Sequence, residues 1–130
     1  MTIAEFDEKY YLHDSSIENI DFDANKKVLK FKIFFCFWMQ LWYDKNEPPN
    51  GWIRVTFNDV SCFEYYAAIA DRIFDAEIDS EIRSSKLDKD GNFTIFAVDT
   101  DFNSERDDIY YLLKINAASV EVEELERYKS

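Results

Sequence analysis

His13, Asp14, Ser15 and Ser16 follow one another in a single tetrapeptide, and their types are the ones in this chain that could do chemistry. A carboxylate beside an imidazole can fix its tautomer and raise its basicity, and a nearby hydroxyl can act as a nucleophile. The spacing argues the other way. Side chains that are neighbours on an extended chain point apart, so adjacent residues seldom converge on one reacting atom. His13 is also the sole histidine, which removes every site that needs two imidazoles. The tetrapeptide therefore reads as a hydrogen-bonded turn at the entry to a strand. No catalytic residue is assigned, and His13 and Asp14 stand as a motif without a role.

The other patterns with metal or redox potential reduce in the same way. If Asp88 opened a calcium loop, Asp90 and Asn92 would take the third and fifth positions, but Phe93 falls where the loop needs glycine and Asp99 where it needs glutamate. A hairpin turn over residues 88–92 accounts for the same residues. Cys36 and Cys62 are the only cysteines and form no CxxC pair, so two buried reduced thiols are expected, with Cys36 inert among Phe34 and Trp38. Asn92-Phe93-Thr94 is a formal glycosylation acceptor that means nothing without secretion. No metal and no cofactor is expected.

Charge narrows the class of partner. The chain carries 27 Asp and Glu against 15 Lys and Arg, a formal net charge of -12. Such a surface repels phosphate backbones and anionic lipid, so neither nucleic acid nor a membrane surface is an expected partner, whereas a basic protein would be attracted. The strongest local expression is the run 99–108, where Asp99, Asp101, Glu105, Asp107 and Asp108 face a lone Arg106. That run is the first choice for contact with a basic partner. The alternative surface is aromatic: Trp38, Trp42 and Trp52, with Tyr43, flank a proline loop and could line a cleft for a small ligand. Cross-strand packing is the simpler use of the same rings.

These residues must be positioned by a scaffold, and the patterning describes one. Hydrophobic residues make up 47% of the 130, with only two glycines and two prolines, which suits one domain spanning 1–130. The organising stretch is 28–43, whose odd positions Leu29, Phe31, Ile33, Phe35, Phe37, Met39, Leu41 and Tyr43 are all apolar. It reads as one long central strand whose second face becomes covered from Phe34 onward. Residues 17–23 alternate once a bulge is placed near Glu18-Asn19, and should pair antiparallel with that strand. Further strands are expected at 52–60, 76–84, 93–99 and 109–116, with Val120 and Val122 extending the sheet before a charged tail. Residues 3–12 are left as an irregular lead-in. Over 63–74 the period shifts toward 3.6 and alanines recur, so a short helix is expected there, a twisted strand being the competing reading. The fold class is thus α+β, predominantly an antiparallel sheet of about seven strands with one short helix.

One resemblance bears on function. The stretch from Tyr11 through His13-Asp14-Ser15 to Ile17, the alternating strand after it, and Val55-Thr56-Phe57-Asn58-Asp59-Val60 together resemble small uncharacterised bacterial domains with a His-Asp-Ser cluster before the first strand. Some of those domains are similar to immunity proteins encoded beside polymorphic toxins. The resemblance covers the first half of the chain and carries over no catalytic residue. It implies a non-enzymatic, immunity-type inhibitor that meets a basic toxin. The acidic start of the chain, where a secretory signal would be basic and then apolar, makes the expected location cytoplasmic. Oligomeric state is left open.

Overall fold

The computed structural model describes residues 1–65, 68–69, 74–99 and 109–128. The chain forms helix α1 (Ile3–Lys9), then β1 (Ser16–Asp23), β2 (Val28–Cys36), a 3-10 turn (Phe37–Met39), β3 (Asn50–Tyr65), the two-residue β4 (Ala68–Ile69), β5 (Phe74–Leu87), β6 (Phe93–Asp99) and β7 (Ile109–Tyr128). All pairings are antiparallel. The strand order β2-β1-β5-β6-β7-β3 closes on itself because β3 also pairs with β2, which makes a six-strand barrel with β4 hanging from the end of β3.

Closure follows from strand length and bending. β3 and β7 are the long strands, and register shifts interrupt the pairing at Ile17/Asn19 in β1, at Trp52/Ile53 and Val60/Cys62 between β3 and β7, and at Ile82/Ser84 in β5. Bulges of this kind increase local twist and let a sheet curl. The bulge in β1 is the one its sequence requires, since Ile17, Ile20 and Phe22 are all buried although their spacing changes parity. Inside, Phe31, Phe35, Phe57 and Phe93 fill the barrel together with Ile20, Ile33, Ile53, Ile95 and Ile115. A barrel of so few strands has no lumen to spare once these rings are inside.

Helix α1 sits where an irregular lead-in was expected. Its start is a capping box: the Thr2 hydroxyl accepts the Glu5 N–H at 3.1 Å, and the Glu5 carboxylate accepts the Thr2 N–H at 3.0 Å. Hydrogen bonding from Thr2, its backbone N–H first, holds the Glu5 carboxyl below its usual value. Ile3 and Phe6 then enter the core, where Phe6 meets Phe93 and Phe57 edge to face at 5.6 and 6.1 Å. Met1 exchanges two backbone hydrogen bonds with Val120, fastening the helix to β7.

The helix expected over 63–74 is overturned where that segment is described: Phe63 to Tyr65 complete β3, and Ala68–Ile69 form β4. Long-range pairing of Tyr65 with Leu113 outweighs the helical preference of the alanines. The stretch 28–43 is likewise not one strand. It stops at Cys36 and turns, so Trp38 and Trp42 are exposed rather than covered, and Leu41 lies entirely in solvent. In the other direction, β7 runs on to Tyr128, so the glutamates expected in a tail are strand residues. The hairpin between β5 and β6 is as its residues specify. Asp88 Oδ1 accepts the N–H groups of Asp90 and Asn92 at 2.8 and 2.9 Å, and Gly91 takes a φ of 83°.

Candidate functional site

The His-Asp-Ser cluster is part of the frame. Ser15 is completely buried, and its Oγ accepts the Cys36 N–H at 3.1 Å, closing the last backbone donor of β2. Asp14 adopts a φ of 66°, a left-handed conformation that aspartate tolerates better than most residues, and donates its N–H to Ile82. His13 stacks on Tyr11, with ring centroids 5.8 Å apart. Its Nδ1 lies 3.2 Å from Asp14 Oδ1, but the alignment is not that of a hydrogen bond. The hydroxyl is thus inside the wall and tied to β2, while the imidazole lies at the surface against a tyrosine. Cys36, at the same junction, has its thiol pushed up by burial. Of the two thiols expected to be buried, Cys36 is buried and Cys62 only half-buried.

The turn after Cys36 builds the surface that stands out. Phe37 goes inward, packs on Phe35 at 4.9 Å and is covered by the Arg127 guanidinium 3.8 Å above its ring. Arg127 is held in turn by Glu124 at 3.1 Å and Glu47 at 3.6 Å. Gln40 also goes inward. Its Oε1 accepts the Tyr11 N–H at 2.8 Å, and its Nε2 donates to the carbonyls of Tyr11 at 2.8 Å and Cys36 at 2.9 Å. Trp42 donates its indole N–H to the Lys9 carbonyl at 2.9 Å, and the Lys9 ammonium lies over the Tyr10 and Trp42 rings at 5.4 and 5.5 Å. With the backbone pinned in this way, Tyr11, Trp38, Leu41 and Trp42 are left 54%, 52%, 106% and 39% exposed. A groove of about 560 Å³ runs between this ridge and α1, with Tyr11, Met39, Leu41 and Trp42 on one wall and Asp7 and Glu8 on the other.

The aromatic residues expected to share one cleft are divided between two places. Trp38 and Trp42 belong to the ridge, whereas Trp52 lies on the outer face of β3, edge-on to Phe34 at 5.0 Å and under the Lys32 ammonium at 4.8 Å. Trp52 lines a different groove, polar in character, with Lys30, Lys32 and Arg54 between Asp21 and Glu18. There Lys32 stands directly opposite Arg54, and Arg54 reaches Glu123 at 3.4 Å. Of the acidic run, Asp99 closes β6 by pairing with Ser80 and Ile109, and Asp101, Glu105, Asp107 and Asp108 lie outside the described residues. Among the described residues no three His, Cys, Asp or Glu side chains are grouped so as to hold a metal ion, and no helix is long and apolar enough to cross a membrane.

No protein-family model, curated protein or solved structure matches the chain. The sequence offers Trp38 and Trp42 of this ridge as an alternative surface but passes over Tyr11 and Leu41, because Leu41 carries the same apolar signature as a buried strand. The signal that could have found it is Gln40, a polar residue breaking the even-position pattern just where Leu41 and Trp42 turn outward.

Proposed function

We propose that this chain is a non-enzymatic, cytoplasmic protein-interaction domain that binds a basic protein, with the immunity-type inhibitor of a toxin as its concrete form. The observation that carries the reading is the braced ridge of Tyr11, Trp38, Leu41 and Trp42. A lone exposed leucine needs no explanation, but Tyr11, Leu41 and Trp42 line one groove, with Trp38 exposed on the adjoining 3-10 turn, and each large side chain left out forgoes burial worth about 1.5–3 kcal/mol. Clusters of that kind mark contact surfaces, and tryptophan and tyrosine are the residues that most often dominate binding energy. The ridge is also rigid, since Gln40, Trp42 and Phe37 fix the turn from below. A preorganised surface loses little conformational entropy when a partner docks.

The charge of -12 gives the partner its sign. The test is a photo-crosslinking amino acid placed at Leu41, with Lys30 on the outer barrel face as control, in cells of the natural host. An adduct formed from Leu41 and not from Lys30, whose purified partner then binds the chain and loses affinity at least roughly tenfold with Leu41→Asp, is the expected result. Equal labelling from both positions, or an adducted protein indifferent to Leu41→Asp, would remove the ridge from function.

A further inference from the structure

We infer that the groove between α1 and the 3-10 turn receives a partner-protein segment that sets a large apolar side chain beside a lysine or arginine. The inference rests on the interaction reading above and names the chemistry of the segment bound. The groove has two walls of different character, apolar at Tyr11, Leu41 and Trp42, and along α1 charged, with the carboxylates of Asp7 and Glu8 outnumbering Lys9 beside them. Its floor offers little to a polar ligand, because the Gln40 amide already bonds Tyr11 and Cys36 through both of its ends. Lys9 does not neutralise the acidic wall through an ion pair; its ammonium lies over the Tyr10 and Trp42 rings. Asp7 is partly buried, with the Leu87 N–H as its backbone partner, and burial pushes its carboxyl up. A cation placed against that carboxyl would relieve the cost of keeping it ionised.

Charge selects among the possible occupants. A second copy of this chain would bring another net charge of -12 against the first, and an acidic or neutral segment would leave Asp7 and Glu8 without a counter-charge. An apolar side chain on Leu41 and Trp42 with a basic one toward α1 satisfies both walls at once. This is the pattern of an amphipathic segment with a basic flank.

The test titrates the isotope-labelled full chain with three short synthetic peptides followed by NMR. One alternates leucine-rich and lysine-rich faces, a second carries glutamate for every lysine, and a third keeps the lysines but has serine for every leucine. The first should shift the Trp42 indole and the Gln40 side-chain amide, and the other two should bind at least roughly tenfold more weakly. Leu41→Ser, and separately Asp7→Asn with Glu8→Gln, should each weaken the first peptide by a similar factor. Equal binding of the glutamate peptide at the ridge would overturn this inference while leaving the interaction reading in place. Equal binding of the serine peptide would reduce the effect to net charge and overturn it too. So would the absence of any ridge shift at about 1 mM of the first peptide, the Leu41 crosslink then deciding the broader reading alone. A dimer seen by sedimentation and abolished by Leu41→Ser would assign the groove to a second copy instead.

Discussion

Gln40 and Phe37 decide, residue by residue, whether the ridge exists. Gln40 joins the segment after α1 to the end of β2 through three hydrogen bonds, the one to Cys36 buried and the two to Tyr11 part-buried, and a buried group left without a partner costs about 1–3 kcal/mol. Gln40→Leu keeps the volume and removes the bonds, so it should lower unfolding stability by about 2–4 kcal/mol in urea denaturation. It should also release Tyr11 and Trp42 enough to alter tryptophan fluorescence before global unfolding. A loss below about 0.5 kcal/mol would mean that water replaces the glutamine and that the turn is held elsewhere. Phe35 and Phe37 are both fully buried, and each truncation to alanine should cost about 3–5 kcal/mol from lost transfer energy and the remaining cavity. The odd-position pattern of the sequence announces both rings. It could not announce Gln40, whose burial depends on backbone groups of Tyr11 and Cys36 that meet only in the folded chain. His13 and Asp14 are the reverse case: conspicuous by type, yet arranged as a surface stack and a strand-entry turn.

At the scale of elements, alternation was legible wherever one strand face is buried and ambiguous wherever two structures satisfy the same pattern. β6 and the hairpin before it follow directly from Phe93, Ile95 and Ala97 and from the turn residues, with Asp88 and Gly91 in their expected places. The end of β2 was hidden because Phe37 stays apolar and inward after the strand has become a 3-10 turn, so parity alone registers no break. Thr2 and Glu5 carry a capping-box signature in front of Ile3 and Phe6, and that signature, rather than periodicity, is what identifies α1. The closure of β3 against β7 has its own sequence determinant in Gly51. A Cβ there would collide with the Glu126 carbonyl oxygen and lie 2.7 Å from the Arg127 Cα, both of them backbone atoms that cannot turn aside. Gly51→Ala should therefore force β3 and β7 apart at this end and destabilise the barrel by about 1–3 kcal/mol. It should also loosen Arg127 over Phe37, so hydrogen exchange should quicken at residues 124–127 and in the 3-10 turn while β6 stays protected. Unchanged exchange there would show that the strands accommodate a methyl group by sliding.

On the scale of the whole molecule, acid and ridge should govern different halves of one binding reaction. Asp101, Glu105, Asp107 and Asp108 belong to a strongly negative chain, and charges of this kind act on diffusional encounter over a screening length of roughly 8–10 Å at physiological ionic strength. The ridge acts only on contact, where desolvated rings and leucine set how long the complex lasts. With the protein captured at Leu41 as partner, neutralising those four carboxylates to Asn and Gln should slow association several-fold at low salt and flatten its salt dependence, with dissociation little changed. Trp38→Ala or Leu41→Ser should do the opposite, speeding dissociation while leaving the association rate and its salt slope intact. Stopped-flow measurement of both rates at two ionic strengths separates the two effects. If neutralising the carboxylates accelerates dissociation, those residues take part in the contact as well as in the encounter. If it changes neither rate, the negative field that matters comes from the strands, above all the glutamates of β7, of which Glu123 pairs with Arg54, and steering belongs to the barrel wall.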